Sequence, residues 1–280
     1  MTVLAVLQST TGYFEKRKIE SARLNAEHLL AHTLGKKRIE LYLEFERELT
    51  EAELAPLRDL VRRRGQGEPL QHILGTVEFC GRTFRCDKRA LIPRPETEEL
   101  VELLIAELGK RKAELRVLDV GTGSGVIALS LAAAFPEATV HAVDVCAEAL
   151  TLARENAALV GLSDRVHFQQ SDLLIAVTHG YDLIVANLPY VPERDRATLA
   201  REVRHDPESA LFGGVQGEEI IRRLITTAPP HLAPGGLLAL EIGIGQAEAL
   251  ASFLAAEGYA DISARQDYAG VTRFLLARYG

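Results

Sequence analysis

The chain has 280 residues, 47% of them hydrophobic, enough to fill one large core or two smaller ones. A net charge of -7 and a pI near 5.7 argue against a broad, sequence-independent grip on nucleic-acid backbone. No signal-peptide pattern opens the chain and no apolar run approaches the ~20 residues of a membrane span, so a cytoplasmic protein without a membrane partner is expected.

Charge is uneven, with 12 Lys/Arg against 11 Asp/Glu in residues 1–75 and 20 against 28 in the remainder. Up to about residue 70 the pattern is helical. Leu24, Ala26, Leu29, Leu30 and Leu34 recur at helical spacing behind Ser21, a candidate N-cap. Thr50 and Glu53 form a capping-box pattern ahead of Leu54, Leu57, Leu60 and Val61. Gly65 and Gly67, after Arg62-Arg63-Arg64, are expected to end that helix in left-handed geometry. Between 68 and 92, Gly75 and Gly81 punctuate alternating Val77, Phe79, Thr83 and Phe84, which predicts a hairpin or extended linker at a domain boundary.

Strand and helix patterns then alternate. Strands are predicted at 116–120, 139–143, 166–169, 183–186 and 237–242, with helices at 126–134, 147–160, 218–228 and 246–257. This is an α/β pattern, a mostly parallel sheet with helices on both faces. The last strands, 262–266 and 272–277, have no helix between them and should pair as an antiparallel hairpin. Cys80, Cys86 and Cys146 are scattered, with no CxxC, and are read as reduced packing thiols; no metal site is expected.

The first predicted strand of this series, with Asp119 inside it, runs directly into Gly121-Thr122-Gly123-Ser124-Gly125, and a helix follows. Glycines let backbone approach a ligand closely, and free N–H groups at a helix start favour negative groups. Asp144 follows the next strand, 23 residues after Gly121, where a carboxylate can accept both hydroxyls of a ribose. A dinucleotide fingerprint, G-x-G-x-x-G, fails in either frame, because Val126 and Ala128 stand where its last glycine belongs. The pattern D-x-G-x-G-x-G is similar to the first motif of Rossmann-like methyltransferases, which use S-adenosylmethionine. Asp119 orients the turn or meets the cofactor's charged end indirectly. Asp172, after the third strand, either accepts from an adenine amino group or caps a helix.

Asn187-Leu188-Pro189-Tyr190 closes the apolar strand 183–186. A carboxamide nitrogen is a poor nucleophile because its lone pair is delocalised. The Asn187 side-chain oxygen and the Leu188 carbonyl can each accept one of its two N–H groups. That aims the lone pair at a methyl donor and compensates charge growing on nitrogen. Pro189 restricts the backbone, and Tyr190 can pack on the flat amide. The two motifs together predict methyl transfer to an amide or exocyclic amine nitrogen, without a metal.

These residues resemble the HemK/PrmC family. The resemblance spans nearly the whole chain, including Gly67-Glu-Pro-Leu-Gln-His-Ile-Leu-Gly75, Glu78-Phe79, Leu91-Ile-Pro-Arg-Pro-Glu-Thr-Glu98, Pro207-Glu208 with Ala210-Leu211, and Asp267-x-x-Gly270-x-x-Arg273. It implies a Rossmann-like class I methyltransferase domain, a seven-stranded mostly parallel sheet with an antiparallel terminal hairpin, over 93–280. It further implies a helical substrate-docking domain over 1–72 and a hairpin linker over 73–92. The implied reaction methylates the glutamine of the Gly-Gly-Gln motif of bacterial peptide-chain release factors, converting S-adenosylmethionine to S-adenosylhomocysteine. Gly121, Thr122, Gly123, Ser124, Gly125, Asp144, Asp172 and Asn187 would bind the cofactor, and Asn187, Leu188, Pro189 and Tyr190 would hold the glutamine.

Two departures stand out: Leu188 replaces the family's usual proline, although its carbonyl remains, and Leu173 replaces an aromatic residue that would stack on adenine. The Arg94-Pro-Glu-Thr-Glu98 segment separates this chain from the otherwise similar ribosomal-protein glutamine methyltransferases, which typically carry Arg-Ser-Pro there. Pro95, Glu96 and Glu98 also suit a helix's first turn. A DNA adenine-N6 methyltransferase would share the motif order, but the acidic catalytic part and the lack of a large insertion after Tyr190 count against it. An inert adaptor is weakened by the intact clamp. Release factors are the expected partner, with no direct nucleic-acid contact and the chain acting as a monomer.

Overall fold

The computed structural model describes residues 1–109, 114–177 and 180–280. They form two compact units, 1–75 with 200–205 and 76–199 with 206–280.

The first unit holds α1 (Val3–Glu15), α2 (Ala22–Leu34), α3 (Arg38–Leu43), α4 (Glu51–Gly65) and α5 (Leu70–Leu74). In α1, Val3, Val6, Leu7, Thr10 and Phe14 recur on one face and are buried, while the Thr2 hydroxyl caps Ala5 N at 3.3 Å. Thr50 and Glu53 cap α4 reciprocally, as their spacing predicts. Two local expectations differ from the structure. Ser21 stands before α2, but in left-handed geometry and without a side-chain cap; Asn25 Nδ2 instead donates to the Glu20 and Ser21 carbonyls. Gly65 continues α4, where a Cβ would lie 2.5 Å from the Tyr13 ring, so its need for glycine is one of space; of the two only Gly67 turns left-handed, at φ +98.

The second unit begins with the hairpin β1 (Thr76–Phe79) and β2 (Arg82–Arg85), whose Phe79 and Phe84 enter its core. Next come α6 (Pro95–Leu108), β3 (Arg116–Val120), α7 (Val126–Ala134), β4 (Thr139–Asp144), α8 (Ala147–Leu159), β5 (Val166–Gln170) and β6 (Tyr181–Asn187). Short strands β7 (Val191–Pro192) and β8 (Phe212–Gly214) precede α9 (Glu219–Thr227), β9 (Leu232–Glu241), α10 (Ala247–Ala256), β10 (Tyr259–Gln266) and β11 (Thr272–Tyr279).

Seven strands form one sheet in the order β10-β11-β9-β6-β3-β4-β5, parallel except where β11 pairs antiparallel with β9 and β10. Alternate residues feed opposite faces. Val117, Leu183 and Val185 pack with α6 and α7, whereas Leu118, Ile184 and Ala186 pack with α9 and α10. From β3 the chain builds outward through β4 and β5, then returns to place β6 on the other flank of β3. Such a reversal opens a crevice beyond the strands' carboxyl ends.

Candidate active site

That crevice is lined by Gly121, Thr122, Gly123 and Ser124 after β3, by Asp144 at the end of β4, by Asp172 after β5, and by Asn187, Leu188 and Pro189 at the end of β6. Residues spread over 69 positions of sequence therefore meet because four adjacent parallel strands end there.

The glycine turn is fastened to β4, since Gly121 N and Thr122 N donate to the Val143 carbonyl at 2.8 and 3.0 Å. Gly121 has φ +74, and a Cβ there would sit 2.7 Å from the Leu188 side chain, so both its conformation and its space require glycine. Gly125 does not line the crevice. It takes φ +85 at the N-cap of α7, and a Cβ would press on Ala153 of α8 at 3.1 Å, so its place is between helices. Asn156 of α8 supports the turn from behind, donating to the Ser124 and Arg85 carbonyls at 2.9 and 3.2 Å.

Each oxygen of Asp144 accepts one backbone N–H, from Gly123 and from Cys146, both at 2.8 Å. A carboxylate oxygen has a second lone pair, so both remain able to accept from a diol. Burial raises the Asp144 carboxyl above its ordinary value, and the N–H groups of Cys146, Gly123 and Val145 pull it back. Asp119 is wholly buried, and burial pushes it up to about 7. Its Oδ2 accepts from the Thr122 hydroxyl at 2.6 Å and from Ala128 N at 3.1 Å, which ties the turn to α7. It orients the loop from inside. Asp172 pairs with Arg223 at 2.8 Å on the crevice rim, and the residues after it form turns, not a helix, so the capping alternative falls away. Leu173 beside it is left-handed, at φ 49.

Asn187 is the terminal residue of β6 and lies beside the glycine turn. Its Nδ2 donates to the Thr97 hydroxyl at 3.0 Å, and that hydroxyl donates to Glu241 at 2.7 Å. With the amino end so engaged, the side-chain oxygen is the acceptor left for a ligand. Tyr190 is not part of the crevice wall; Gln246 holds it, donating to its carbonyl at 3.0 Å, and a Cβ on Gly243 would lie 3.3 Å from its ring. Burial pushes the Tyr190 phenol up to about 12, so it is neutral.

Four residues of this site belong to no assignment made from sequence. Glu241 is an acid ending the apolar run 237–240, and that misplacement is its only signal. Buried Asp206 accepts from Arg94 at 2.6 Å and from Ile92 N at 3.2 Å, pinning segment 91–94 to 206–210 at the crevice mouth. Thr97 and Gln246 complete the set. Cys80, Cys86 and Cys146 are free thiols, and burial pushes Cys86 up to about 12, which leaves it unreactive.

Residues 5–75 match the family model of the PrmC N-terminal domain, and residues 97–215 match that of the methyltransferase small domain. The chain is 43% identical over 278 residues to the release factor glutamine methyltransferase of Deinococcus radiodurans, covering 99% of each protein. It is 41% identical over 281 residues to that of Geobacter sulfurreducens, covering 100% of this chain and 97% of that one. Among solved structures, it resembles in fold the Thermus thermophilus 16S rRNA N2 G1207 methyltransferase in complex with AdoMet and guanosine, with a TM-score of 0.54 at 19% identity, over 73% of this chain and 50% of that one.

Proposed function

The chain belongs to the release factor glutamine methyltransferase family, and from that premise we propose how its crevice methylates the side-chain amide of a release-factor glutamine. S-adenosylmethionine is the proposed methyl donor; when bound, it supplies an electrophilic sulfonium methyl. The residues present suit it. Asp144 keeps lone pairs for a ribose diol, Gly121 and Gly123 have no side chains to block close approach, and Asp172 stands at the rim where an adenine amino group would fall.

Asn187 Oδ1 and the Leu188 carbonyl accept the two N–H groups of the substrate carboxamide, which orients its lone pair and compensates the positive charge growing on nitrogen. As the nitrogen takes the methyl group, the donor's carbon–sulfur bond would break with its electron pair left on sulfur, giving S-adenosylhomocysteine, and the nitrogen would be left with an acidic proton that passes to water. Pro189 keeps the Leu188 carbonyl from drifting, and Tyr190, held outside the crevice wall by Gln246, anchors the end of that turn. The helical unit is proposed to dock the release factor, and the reaction belongs in the cytoplasm, where translation ends. The observation that carries this reading is the engagement of Asn187 Nδ2 by Thr97, which leaves an oxygen acceptor beside the glycine turn.

The test is incubation with methyl-labelled S-adenosylmethionine and, separately, a release factor, a ribosomal protein and duplex DNA. Label should enter the release factor on glutamine nitrogen. Label in DNA or ribosomal protein alone would overturn the reading.

A further inference from the structure

Thr97 sits on the first turn of α6, 3% exposed, and Glu241 ends β9 directly opposite Asn187 in the β6–β9 register, 2% exposed. Neither offers the reaction an obvious nucleophile or base. We infer that Thr97 and Glu241 are positioning residues that decide which end of the Asn187 carboxamide faces the crevice.

The inference rests on the methyl-transfer reading above. A side-chain amide has nearly the same shape when turned over about its last bond, so packing cannot choose between its oxygen and its NH2. Hydrogen-bond polarity can. The Thr97 hydroxyl has one hydrogen and gives it to Glu241 Oε2 at 2.7 Å. Its oxygen can then only accept, and it accepts from Asn187 Nδ2 at 3.0 Å. The Glu241 carboxyl also receives a hydrogen bond from the Asn187 side chain. An ionised carboxylate has no donor, so only the NH2 end of Asn187 satisfies both neighbours, and Oδ1 faces the ligand. A reversed Asn187 would aim NH2 at the NH2 of the substrate, donor against donor.

Protonation of Glu241 removes this polarity, because its new O–H can give to Thr97 and free that hydroxyl to give to Asn187 Oδ1. The charged and titratable groups that bear on Glu241 are Glu96 from α6, Arg273 from β11, and Tyr190 beyond β6. Burial is the largest influence and pushes the Glu241 carboxyl up to about 7; the Thr97 hydroxyl and Arg273, from the Asp267-x-x-Gly270-x-x-Arg273 segment, favour the ionised form, and Glu96 opposes it.

Thr97→Val keeps the shape and deletes the hydroxyl; Thr97→Ser keeps the hydroxyl. With labelled S-adenosylmethionine and release factor, Thr97→Val should lower kcat by about 10- to 100-fold, the range for removing a group that orients a reacting ligand. The release-factor KM and the calorimetric Kd for S-adenosylmethionine should stay within about twofold, and Thr97→Ser should restore most of the turnover. A merely structural role would lower the melting temperature or weaken binding without this split. Glu241→Gln is the second variant. The wild type should lose kcat as pH falls through the Glu241 ionisation, and the variant should lack that limb. A wild type that labels no release factor overturns the functional reading and this inference together. An active wild type with Thr97→Val turning over normally, Thr97→Ser as slow as Thr97→Val, or an unchanged pH limb in Glu241→Gln overturns the inference alone.

Discussion

Asn187 and Asp144 line the same crevice from either flank of β3, yet their loss should read out differently. In the proposed clamp, Asn187→Ala removes a contact that strengthens as charge develops on the attacking nitrogen. Turnover should fall by about 100-fold or more with the melting temperature nearly unchanged. A folded variant with near-normal kcat would contradict the clamp. Asp144→Ala removes the acceptors proposed to bind the cofactor before chemistry begins, so the calorimetric Kd for S-adenosylmethionine should rise by about 10- to 100-fold, the worth of hydrogen bonds to a charged group. Asp119 makes a pH prediction. Its carboxyl is raised by burial from 3.8 to about 7. Below 3.8 both the folded and unfolded chains hold that proton. Above about 7 the folded chain must keep a buried charge, so stability falls as pH rises through this window. Urea midpoints measured from about pH 4 to about pH 8 should decline, and the decline should be shallower in Asp119→Asn. An equal slope in the variant would place the proton elsewhere.

At the scale of elements, the catalytic sheet was legible because its strands are short apolar runs followed by longer segments of good helix formers, α7 being buried throughout 126–132 rather than on one face. The predicted helix at 126–134 and strand at 116–120 match α7 and β3 end to end. Edges slipped where polar residues extend a strand beyond its apolar run, as Tyr181 and Asp182 do at the start of β6. Caps divide in the same way. Thr50 follows from its own spacing to Glu53 and stands in extended geometry, whereas Ser21 fails because its left-handed backbone, at φ 48, is not the extended geometry from which a cap side chain accepts the first N–H groups. The glycine turn gives an element-scale test. Gly121→Ala must place its Cβ 2.7 Å from Leu188 in a left-handed conformation. It should cost about 1–3 kcal/mol in unfolding free energy and weaken cofactor binding. An alanine variant as stable as the wild type would show that Leu188 yields freely.

Across the whole molecule, the separation into two units is not a separation at one point of the chain. Residues 200–205 follow β7 of the catalytic unit, yet they pack with the helical one. Arg64, 2% exposed, is the reason: it donates to Asn25 at 2.7 Å, to the Glu68 carbonyl at 3.1 Å and to Glu202, while Arg201 donates to the Gln66 carbonyl at 2.8 Å. Arg62 and Arg63, its neighbours in a run that reads as one basic patch, pair with Asp59 and Glu68 nearer the surface. Arg64→Ala should destabilise the helical unit by roughly 2 kcal/mol, since it strands a buried amide and a carboxylate. It should also speed hydrogen exchange at 200–205. Exchange there at the wild-type rate would mean that other contacts hold the segment.

The sequence by itself determined the order of elements, the parallel sheet and the two turns that line the crevice, because each depends on residues within a few positions of one another. Tertiary structure alone decided which groups those turns would meet. Thr97 reaches Asn187 across 90 positions, Glu241 faces it from the neighbouring strand, and Asp206 anchors Arg94. A hydrogen bond between distant residues leaves no periodic trace in the chain, and a threonine or glutamate reads the same whether it is solvated or buried. Only the placement of strand ends side by side gives those hydroxyl and carboxyl groups a direction.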